Sequence, residues 1–254
     1  MSDITQLTTY NNKLIGRPVL NLLTTSSTMD EAKELAQTGA REGLVIVADN
    51  QTKGRGRFDR EWLALPGQDL TFSILLKPNF KKLHMLNMII SIAIQDMLTR
   101  LTEGTVDIKW PNDVLIAGRK ISGILVESVL SSANTVDFAV VGIGINLNLD
   151  PAVMEGIEDS ATSISHIIGK PVDKYEVLDN LLNLIDERYQ AVLLGYNPRG
   201  DWSSRLSTIG NRIRVSNGSD TIIGKAIGVD SVGNLIIQTE QGTITVTSGD
   251  VTVI

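Results

Sequence analysis

Residues 138–145, FAVVGIGI, are the longest apolar run in the chain, and they guide the interpretation of its fold. A run of this length is typical of a buried β-strand and is far shorter than the roughly 18 residues of a membrane-spanning helix. The pattern therefore predicts one strand of a sheet. Further strand-like runs lie at residues 18–23, 44–49, 70–76 and 106–110, and a hairpin pattern covers residues 114–128.

Apolar residues at helical spacing separate these strands. The first helical stretch, over residues 27–38, begins with two overlapping capping-box patterns. Longer stretches cover residues 83–101 and 178–192, and a short helix is expected at 201–207. Strands and helices thus alternate in a mixed order along the chain.

The character of the chain changes after about residue 205, where the helical period ends. Short β-branched runs then alternate with turn signals rich in glycine and asparagine. This pattern predicts a small all-β domain over residues 205–254, folded as a five-stranded barrel. Residues 1–204 are expected to form the larger, catalytic domain.

Composition excludes several classes of protein. The chain has 254 residues, of which 42% are hydrophobic and 20% charged, which excludes disordered, collagen-like and coiled-coil chains. A net charge of −6 argues against binding of nucleic acid or an anionic membrane through the overall charge of the protein. The chain has no cysteine, which excludes a thiol nucleophile and fits a reducing compartment. Since the N-terminus also lacks a signal-peptide pattern, we expect a cytoplasmic protein.

The segment QTKGRGRFDREW, residues 51–62, places four cations in eight residues of an acidic protein. Arginine is suited to bidentate contacts with phosphate or carboxylate, and glycine lets the backbone approach a ligand closely. The segment therefore predicts an anion-binding loop that becomes ordered on a ligand. A solvated basic loop or a nucleic-acid tail is the alternative. The glycine spacing fits neither the dinucleotide fingerprint nor the P-loop.

Two further segments place polar side chains beside strand ends. In KWPND, residues 109–113, the proline turns the chain and exposes Asn112 and Asp113 at the rim of the sheet. A carboxylate beside an amide suits Mg²⁺ and nucleotide contacts, whereas an ordinary Pro-Asn-Asp turn is the alternative. Lys120 lies between a turn and a strand that runs inward and contains Gly123. A lysine at that position can reach into a pocket, and an exposed turn lysine is the alternative.

Gly142 and Gly144 lie two residues apart and hence on one face of their strand. Because they lack side chains, they leave a slot for a flat ligand. A bulge or close packing of the sheet is the alternative.

Taken together, these segments resemble the biotin–protein ligase family, with GRGRFDREW (54–62), KWPND (109–113), RKISGILVE (119–127) and VVGIGINL (140–147) in the family's order. The resemblance covers essentially the whole chain. It implies an α+β fold, with a mixed β-sheet flanked by helices as in class II aminoacyl-tRNA synthetases and a small C-terminal SH3-like β-barrel. Since the first strand is expected near Pro18, no room remains for the N-terminal winged helix of some members. We therefore expect a monofunctional ligase without a nucleic-acid partner.

The resemblance also implies a reaction in two steps. The biotin carboxylate attacks the α-phosphorus of ATP, giving biotinyl-5′-AMP and pyrophosphate, and a lysine of a biotin carboxyl carrier domain then attacks the mixed anhydride. Cations have to offset the repulsion between the carboxylate and the polyanion. ATP and Mg²⁺, a carboxylase carrier domain of the acetyl-CoA or pyruvate type and a homodimer are implied. A lipoate or octanoate ligase of the same fold, or a non-catalytic biotin or nucleotide sensor, is the alternative.

Site residues follow from the same resemblance. Lys120 would be the main catalytic residue, joined by Arg57 and Asp113. Biotin would be bound by Ser27, Thr28, Gln51, Arg55, Gly56, Arg57, Lys120, Gly123, Gly142 and Gly144. ATP would be bound by Arg55, Arg57, Trp62, Lys109, Asn112, Lys120 and Asn146. Mg²⁺ would be held by Asp113 and Asn146, and the alternative role of Asp113 is to orient or deprotonate the incoming amine.

The chain departs from the family pattern at one position of the expected biotin site. Met29 follows the Ser-Thr pair where the family often has asparagine. This departure weakens the case for a side-chain role at that position.

Overall fold

The computed structural model describes residues 4–7, 12–153, 160–217 and 220–254. Its larger sheet consists of β1 (Ile4–Leu7), β2 (Val19–Thr25), β3 (Val45–Gln51), β4 (Leu70–Leu76), β5 (Val106–Lys109), β6 (Asp113–Ile116), β7 (Arg119–Ser132) and β8 (Thr135–Ile145). The strand order is β1-β2-β3-β4-β8-β7-β6-β5. Strands β2 and β3 run parallel, and the other neighbours run antiparallel. The sheet is thus mixed, as expected.

Helices cover both faces of this sheet. They are α1 (Thr28–Gln37), α2 (Met85–Thr102), α3 (Ile164–Ile168), α4 (Lys174–Leu193) and α5 (Arg199–Ser204). Apolar residues of α2 and α4 form one core with Val141, Ile143 and Ile145 of β8, whereas α1 packs with Val140 on the opposite face. Because side chains alternate along a strand, Gly142 belongs to the face of α1. No helix in the described ranges combines the length and apolarity needed to cross a membrane.

A second, antiparallel sheet follows α5. It consists of β9 (Arg212–Asn217), β10 (Asp220–Val229), β11 (Leu235–Thr239), β12 (Gly242–Val246) and β13 (Asp250–Val253), in the order β12-β11-β10-β9-β13. The five expected strands are confirmed, and the sheet is consistent with an SH3-like domain. Within the described residues, no pairing of β12 with β13 closes it into a barrel. The division of the chain between residues 204 and 205 stays a prediction.

The apolar face of the second sheet packs against the β5 end of the larger sheet. Trp110 and Trp202 are buried there among residues such as Ile213 and Ile237. The indole of Trp110 donates a hydrogen bond to the carbonyl of Gly233 at 2.9 Å. This shared core fixes β13 next to the segments that were predicted to bind ligand.

The expectation that the first strand begins near Pro18 was wrong. Strand β1, with the sequence ITQL, pairs antiparallel with β2 at the edge of the sheet. It has no alternating apolar pattern, because an edge strand is defined by its backbone pairing rather than by its own composition. The five-residue α3 was not anticipated either, since it is too short to show a helical period. The expected absence of a winged helix and of a nucleic-acid partner stays a prediction.

Candidate active site

A cavity of about 150 Å³ lies between α1, the loop after β3 and the ends of β6, β7 and β8. The structure brings most of the predicted site residues to its wall. They are Ser27, Thr28, Gln51, Arg55, Gly56, Arg57, Trp62, Asn112, Asp113, Lys120, Gly123, Gly142 and Gly144.

Glycines form the floor of this cavity. Gly142 and Gly144 lie on β8, and Gly123 of β7 is paired with Gly144. A Cβ at Gly123 would lie 2.9 Å from the Trp62 ring, one at Gly144 would overlap that ring, and one at Gly142 would lie 2.6 Å from the sulfur of Met29. The glycines therefore leave a slot, and the side chains of Trp62 and Met29 fill it.

The inner end of the cavity, lined by Ser27, Thr28 and Gln51, is polar and uncharged, and the buried Ser73 lies behind Thr28. The side-chain carbonyl of Gln51 accepts hydrogen bonds from the backbone N–H of Thr28 at 2.7 Å and from its hydroxyl at 3.0 Å. Since that hydroxyl has only one proton, Ser73 donates to it across the 2.8 Å that separates the two oxygens. Ser27 is the N-cap of α1, but its side chain makes no capping hydrogen bond. The Thr28 hydroxyl thus bonds to Gln51 and Ser73, and the expected capping box is not formed at Ser27.

The loop after β3 folds back on itself. The N–H of Trp62 donates to the carbonyl of Gly54 at 3.0 Å, and the N–H of Gly56 donates to the carbonyl of Arg60 at 2.7 Å. A Cβ at Gly54 would lie 2.8 Å from the carbonyl oxygen of Trp62, so the hairpin needs glycine at that position. This turn carries the Trp62 ring onto the floor and the loop arginines to the opening of the cavity.

The mouth of the cavity is formed by Arg55, Arg57, Arg60 and Lys120, and carboxylates face these cations. Arg55 donates two hydrogen bonds to Asp30 of α1, at 2.6 and 2.7 Å. This guanidinium lowers the pKa of the Asp30 carboxyl. Arg60 forms an ion pair with Asp250, at the start of β13. Loop arginines are thereby held to α1 on one side and to the second sheet on the other.

A β-bulge directs Lys120 into the cavity. The register between β6 and β7 shifts by one residue beside it, and such a bulge re-aims the neighbouring side chains. The Lys120 amine consequently lies over Gly123 and 5.4 Å from the centre of the Trp62 ring. It also lies 2.7 Å from Oδ1 of Asp113. This buried oxygen has the Lys120 amine as its charged partner, and no hydrogen bond to it is formed within the described residues.

Arg57 links three parts of the molecule. Its Nη1 donates to the side-chain oxygen of Asn112 at 3.2 Å and to the carbonyl of Gly249 at 3.4 Å. Burial lowers the pKa of this guanidinium, and the charges of Asp250 and Asp113 act in the opposite direction. Arg57 nevertheless stays protonated, as arginine does in proteins. The loop, the KWPND turn and the second sheet therefore meet at this one side chain.

Two predicted residues lie outside the wall of the cavity. Lys109 is the last residue of β5. Asn146 is buried, and its side-chain nitrogen donates to the carbonyl of Thr162 at 2.9 Å. Their assignments to ATP and, for Asn146, to Mg²⁺ stay predictions. Within the described part of the chain, no three histidine or acidic side chains are grouped as a metal site would require.

Comparisons with known proteins agree with this geometry. The Biotin/lipoate A/B protein ligase family matches residues 22–146, and the Biotin protein ligase C terminal domain matches residues 208–253. The bifunctional ligase/repressor BirA of Bacillus subtilis is 35% identical over 231 residues, which are 89% of this chain and 71% of that protein. The chain belongs to the biotin protein ligase family.

Other members of the family extend the likeness. The biotin–[acetyl-CoA-carboxylase] ligase of Mycobacterium tuberculosis is 30% identical over 89% of this chain and 85% of its own length. The biotin protein ligase from Aquifex aeolicus, solved in complex with biotin and ATP, is similar with a TM-score of 0.79 and 33% identity, covering 94% of this chain and 99% of that one. The resemblance drawn from the four sequence motifs is therefore confirmed.

Sequence reasoning missed some residues of this ligase-family site. Ser73, which supports Thr28 from behind the cavity wall, lies within the largely apolar β4, and β4 taken by itself gave no sign of a polar contact. Asp250 follows Arg60 by 190 positions, so nothing local connects the two. For Ser73 a usable signal existed, because β4 is the neighbour of the glycine strand β8 and Ser73 is paired with Gly142. For Asp250 the sequence contained no such signal.

Proposed function

We propose that this chain is an ATP-dependent biotin–protein ligase that forms biotinyl-5′-AMP and then transfers biotin to a lysine of a biotin carboxyl carrier domain. The observation that carries the proposal is a single cavity with an uncharged polar inner end and a cationic mouth. Biotin has the matching polarity, since its ureido ring is neutral and its carboxylate is charged. The relatives named as biotin ligases support the same assignment.

The inner end is the binding site that we propose for the ureido ring. Thr28 and Gln51 already form a hydrogen-bonded pair, so a neutral ring adds bonds without burying a charge. The cavity of about 150 Å³ is smaller than the roughly 300 Å³ or more of a ligand pocket. Trp62 therefore has to move from the glycine floor when biotin enters. Its buried Nε1 lacks a hydrogen-bond partner within the described residues, so this movement breaks no such bond.

Lys120 has the central role in the first step. Its amine lies at the junction of the floor and the mouth, where the biotin carboxylate and the α-phosphate would meet. Two anions repel each other, and a fixed cation between them stabilises the charge that develops in the transition state. Arg55 and Arg57 approach from the other side and add bidentate contacts to phosphate.

Mg²⁺ fits this site through Asp113. The Oδ1 atom of Asp113 is buried and accepts no hydrogen bond among the described residues. Mg²⁺ in nucleotide sites is held by one or two carboxylates together with the phosphates, so a single aspartate suffices. When bound, the ion neutralises phosphate charge. The same carboxylate also suits the second proposed role of Asp113, which is to orient or deprotonate the lysine of the carrier domain.

A direct assay tests this function. Purified protein is incubated with biotin, Mg²⁺ and α-labelled ATP, and we expect labelled biotinyl-adenylate followed by a streptavidin-reactive carrier domain. Adenylate without transfer would indicate a sensor, and lipoyl transfer would indicate a lipoate ligase. Asp113→Asn separates the two roles of Asp113, because loss of the first step supports metal binding and loss of the second alone supports amine activation.

The remaining parts of the proposal rest on the family resemblance. We place the protein in the cytoplasm, as a homodimer that modifies the carrier domain of an acetyl-CoA or pyruvate carboxylase. Light scattering on the purified chain, with and without biotin and ATP, measures the oligomeric state. A monomer under both conditions would contradict the homodimer and leave the proposed activity untouched.

A further inference from the structure

The turn before β13 carries the second sheet into the mouth of the cavity. Gly249 has a φ of +153°, and a Cβ there would lie 2.5 Å from Cγ1 of Val215, so this position requires glycine. The Gly249 carbonyl accepts a hydrogen bond from Arg57, and the next residue, Asp250, forms the ion pair with Arg60. The turn thus presents one neutral oxygen and one carboxylate to two arginines of the loop.

The charges at the mouth follow one pattern. Arg55 and Lys120 are paired with Asp30 and Asp113, which belong to the same unit of structure as the floor of the cavity. Asp250 also faces a cation of the mouth, but it differs from Asp30 and Asp113 in belonging to the second sheet, from which it reaches the cavity wall.

We infer that Asp250 is an internal counter-ion that occupies, for Arg60 and Arg57, the place that the ATP phosphates take. The inference rests on the proposed function, since it assumes that Arg57 binds ATP, and it adds Arg60 to the residues that do so. Asp250 is therefore a positioning residue, which acts through the arginines and does not contact the reacting atoms.

When ATP binds, its phosphates replace the Asp250 carboxylate as the anion at the loop arginines. The ion pair of Arg60 with Asp250 is largely exposed to solvent, and exposed pairs contribute little stability, so it is readily replaced. The Arg57 guanidinium is more deeply buried, and the Asp250 charge offsets part of the cost of that burial when no ligand is bound. A triphosphate carries several negative charges and outcompetes a single carboxylate. ATP binding then has to displace Asp250, which lowers the apparent affinity for ATP.

The test is whether the KM for ATP falls or rises when the charge of Asp250 is removed. Asp250→Asn keeps the size of the side chain and removes its charge, and we expect the KM for ATP to fall by about 2- to 5-fold, the range of one exposed ion pair. The kcat and the KM for biotin should stay within about 1.5-fold of the wild type. Glu240→Gln is the matched control, because it removes one exposed charge from the same sheet away from the cavity, and it should leave all three constants unchanged. An unchanged or increased KM for ATP in Asp250→Asn would overturn the inference.

Two further variants separate this effect from a structural one. Asp250→Glu restores the charge and should return the KM for ATP towards the wild-type value. In an Arg60→Gln background, Asp250→Asn should lower the KM for ATP by less than it does in the wild type, because one of its two partners is gone. Thermal melts check folding, and Asp250→Ser removes the same charge if the asparagine variant unfolds.

The outcome for the wild type distinguishes the two proposals. If the wild-type protein forms no biotinyl-adenylate, the proposed function fails. If it forms the adenylate and Asp250→Asn leaves the KM for ATP unchanged, only the role of Asp250 fails.

Discussion

The inner end and the mouth of the cavity satisfy their polar groups in opposite ways. At the inner end, Thr28, Gln51 and Ser73 bond to one another through neutral groups, and Thr28 and Ser73 are buried. At the mouth, charged pairs such as Lys120 with Asp113 lie partly open to solvent. A neutral network accepts a neutral ligand by adding hydrogen bonds, whereas paired charges accept an anion by exchanging partners. In the proposed function, the inner end recognises biotin and the mouth carries out the chemistry on ATP.

The largest effect is expected at the junction of the two ends. Lys120→Ala removes the cation between the two reacting anions, so we expect single-turnover formation of biotinyl-adenylate to fall by at least ~10²-fold. Lys53→Ala is the matched control, because Lys53 is an exposed cation of the same loop and lies outside the cavity wall, and it should change the rate by less than about 2-fold. Near-normal adenylation by Lys120→Ala would remove the central role given to this lysine.

The floor connects both ends, and blocking it should weaken biotin binding. In Gly144→Ala the added methyl group would occupy the floor space that biotin takes once the Trp62 ring has moved away, so we expect the Kd for biotin to rise by about 10-fold, within the range of about 1–3 kcal/mol for overpacking. Calorimetric titration with biotin measures the change. Gly200→Ala is the control, since a Cβ at Gly200 of α5 meets nothing within 4 Å. An unchanged Kd in Gly144→Ala would mean that biotin does not lie on this floor.

The mouth is also expected to retain the intermediate. Arg57 joins the loop to Asn112 and to the second sheet, so Arg57→Gly should let the reactive mixed anhydride escape into solvent. The measurement is biotin transfer to serum albumin relative to transfer to the carrier domain, and we expect this ratio to rise several-fold. Arg57→Lys keeps the charge without the bidentate geometry and should give an intermediate ratio. A wild-type ratio in Arg57→Gly, with adenylate still produced, would restrict Arg57 to substrate binding.

The smallest effect is expected in trypsin cleavage of the loop, which biotin together with ATP should suppress more strongly than biotin alone. Trypsin should cut after Arg57 and Arg60 in the free protein, because their partners are exchangeable. Biotin together with ATP should suppress this cleavage, and biotin alone should suppress it less, since only the phosphates replace the carboxylates at the mouth. Cleavage after Lys225, which lies on the second sheet, provides the reference rate. Equal cleavage of the loop in all states would contradict a mouth that exchanges anions.

Much of the fold could be predicted from the sequence. The run at residues 70–76 matches β4 (Leu70–Leu76) residue for residue, because all seven residues are buried and five of them are apolar. The hairpin of β6 and β7 was also predicted, since its turn residues interrupt two such runs. The edge strand β1 escaped prediction because its four residues, ITQL, show neither an apolar run nor an apolar alternation, and the sequence does not report its backbone pairing with β2.

The sequence by itself determined the four motifs and most of the residues that line the cavity, because glycines and charged groups that interrupt apolar strands stand out from the pattern of a buried sheet. Only the tertiary structure decided how they are combined. The bulge beside Lys120 turns its amine towards Gly123, and the packing of the second sheet on Trp110 brings Asp250 to Arg60. Both depend on contacts between residues far apart in the chain, and local sequence patterns report hydrophobic periodicity and turn chemistry but not the partners that folding brings together.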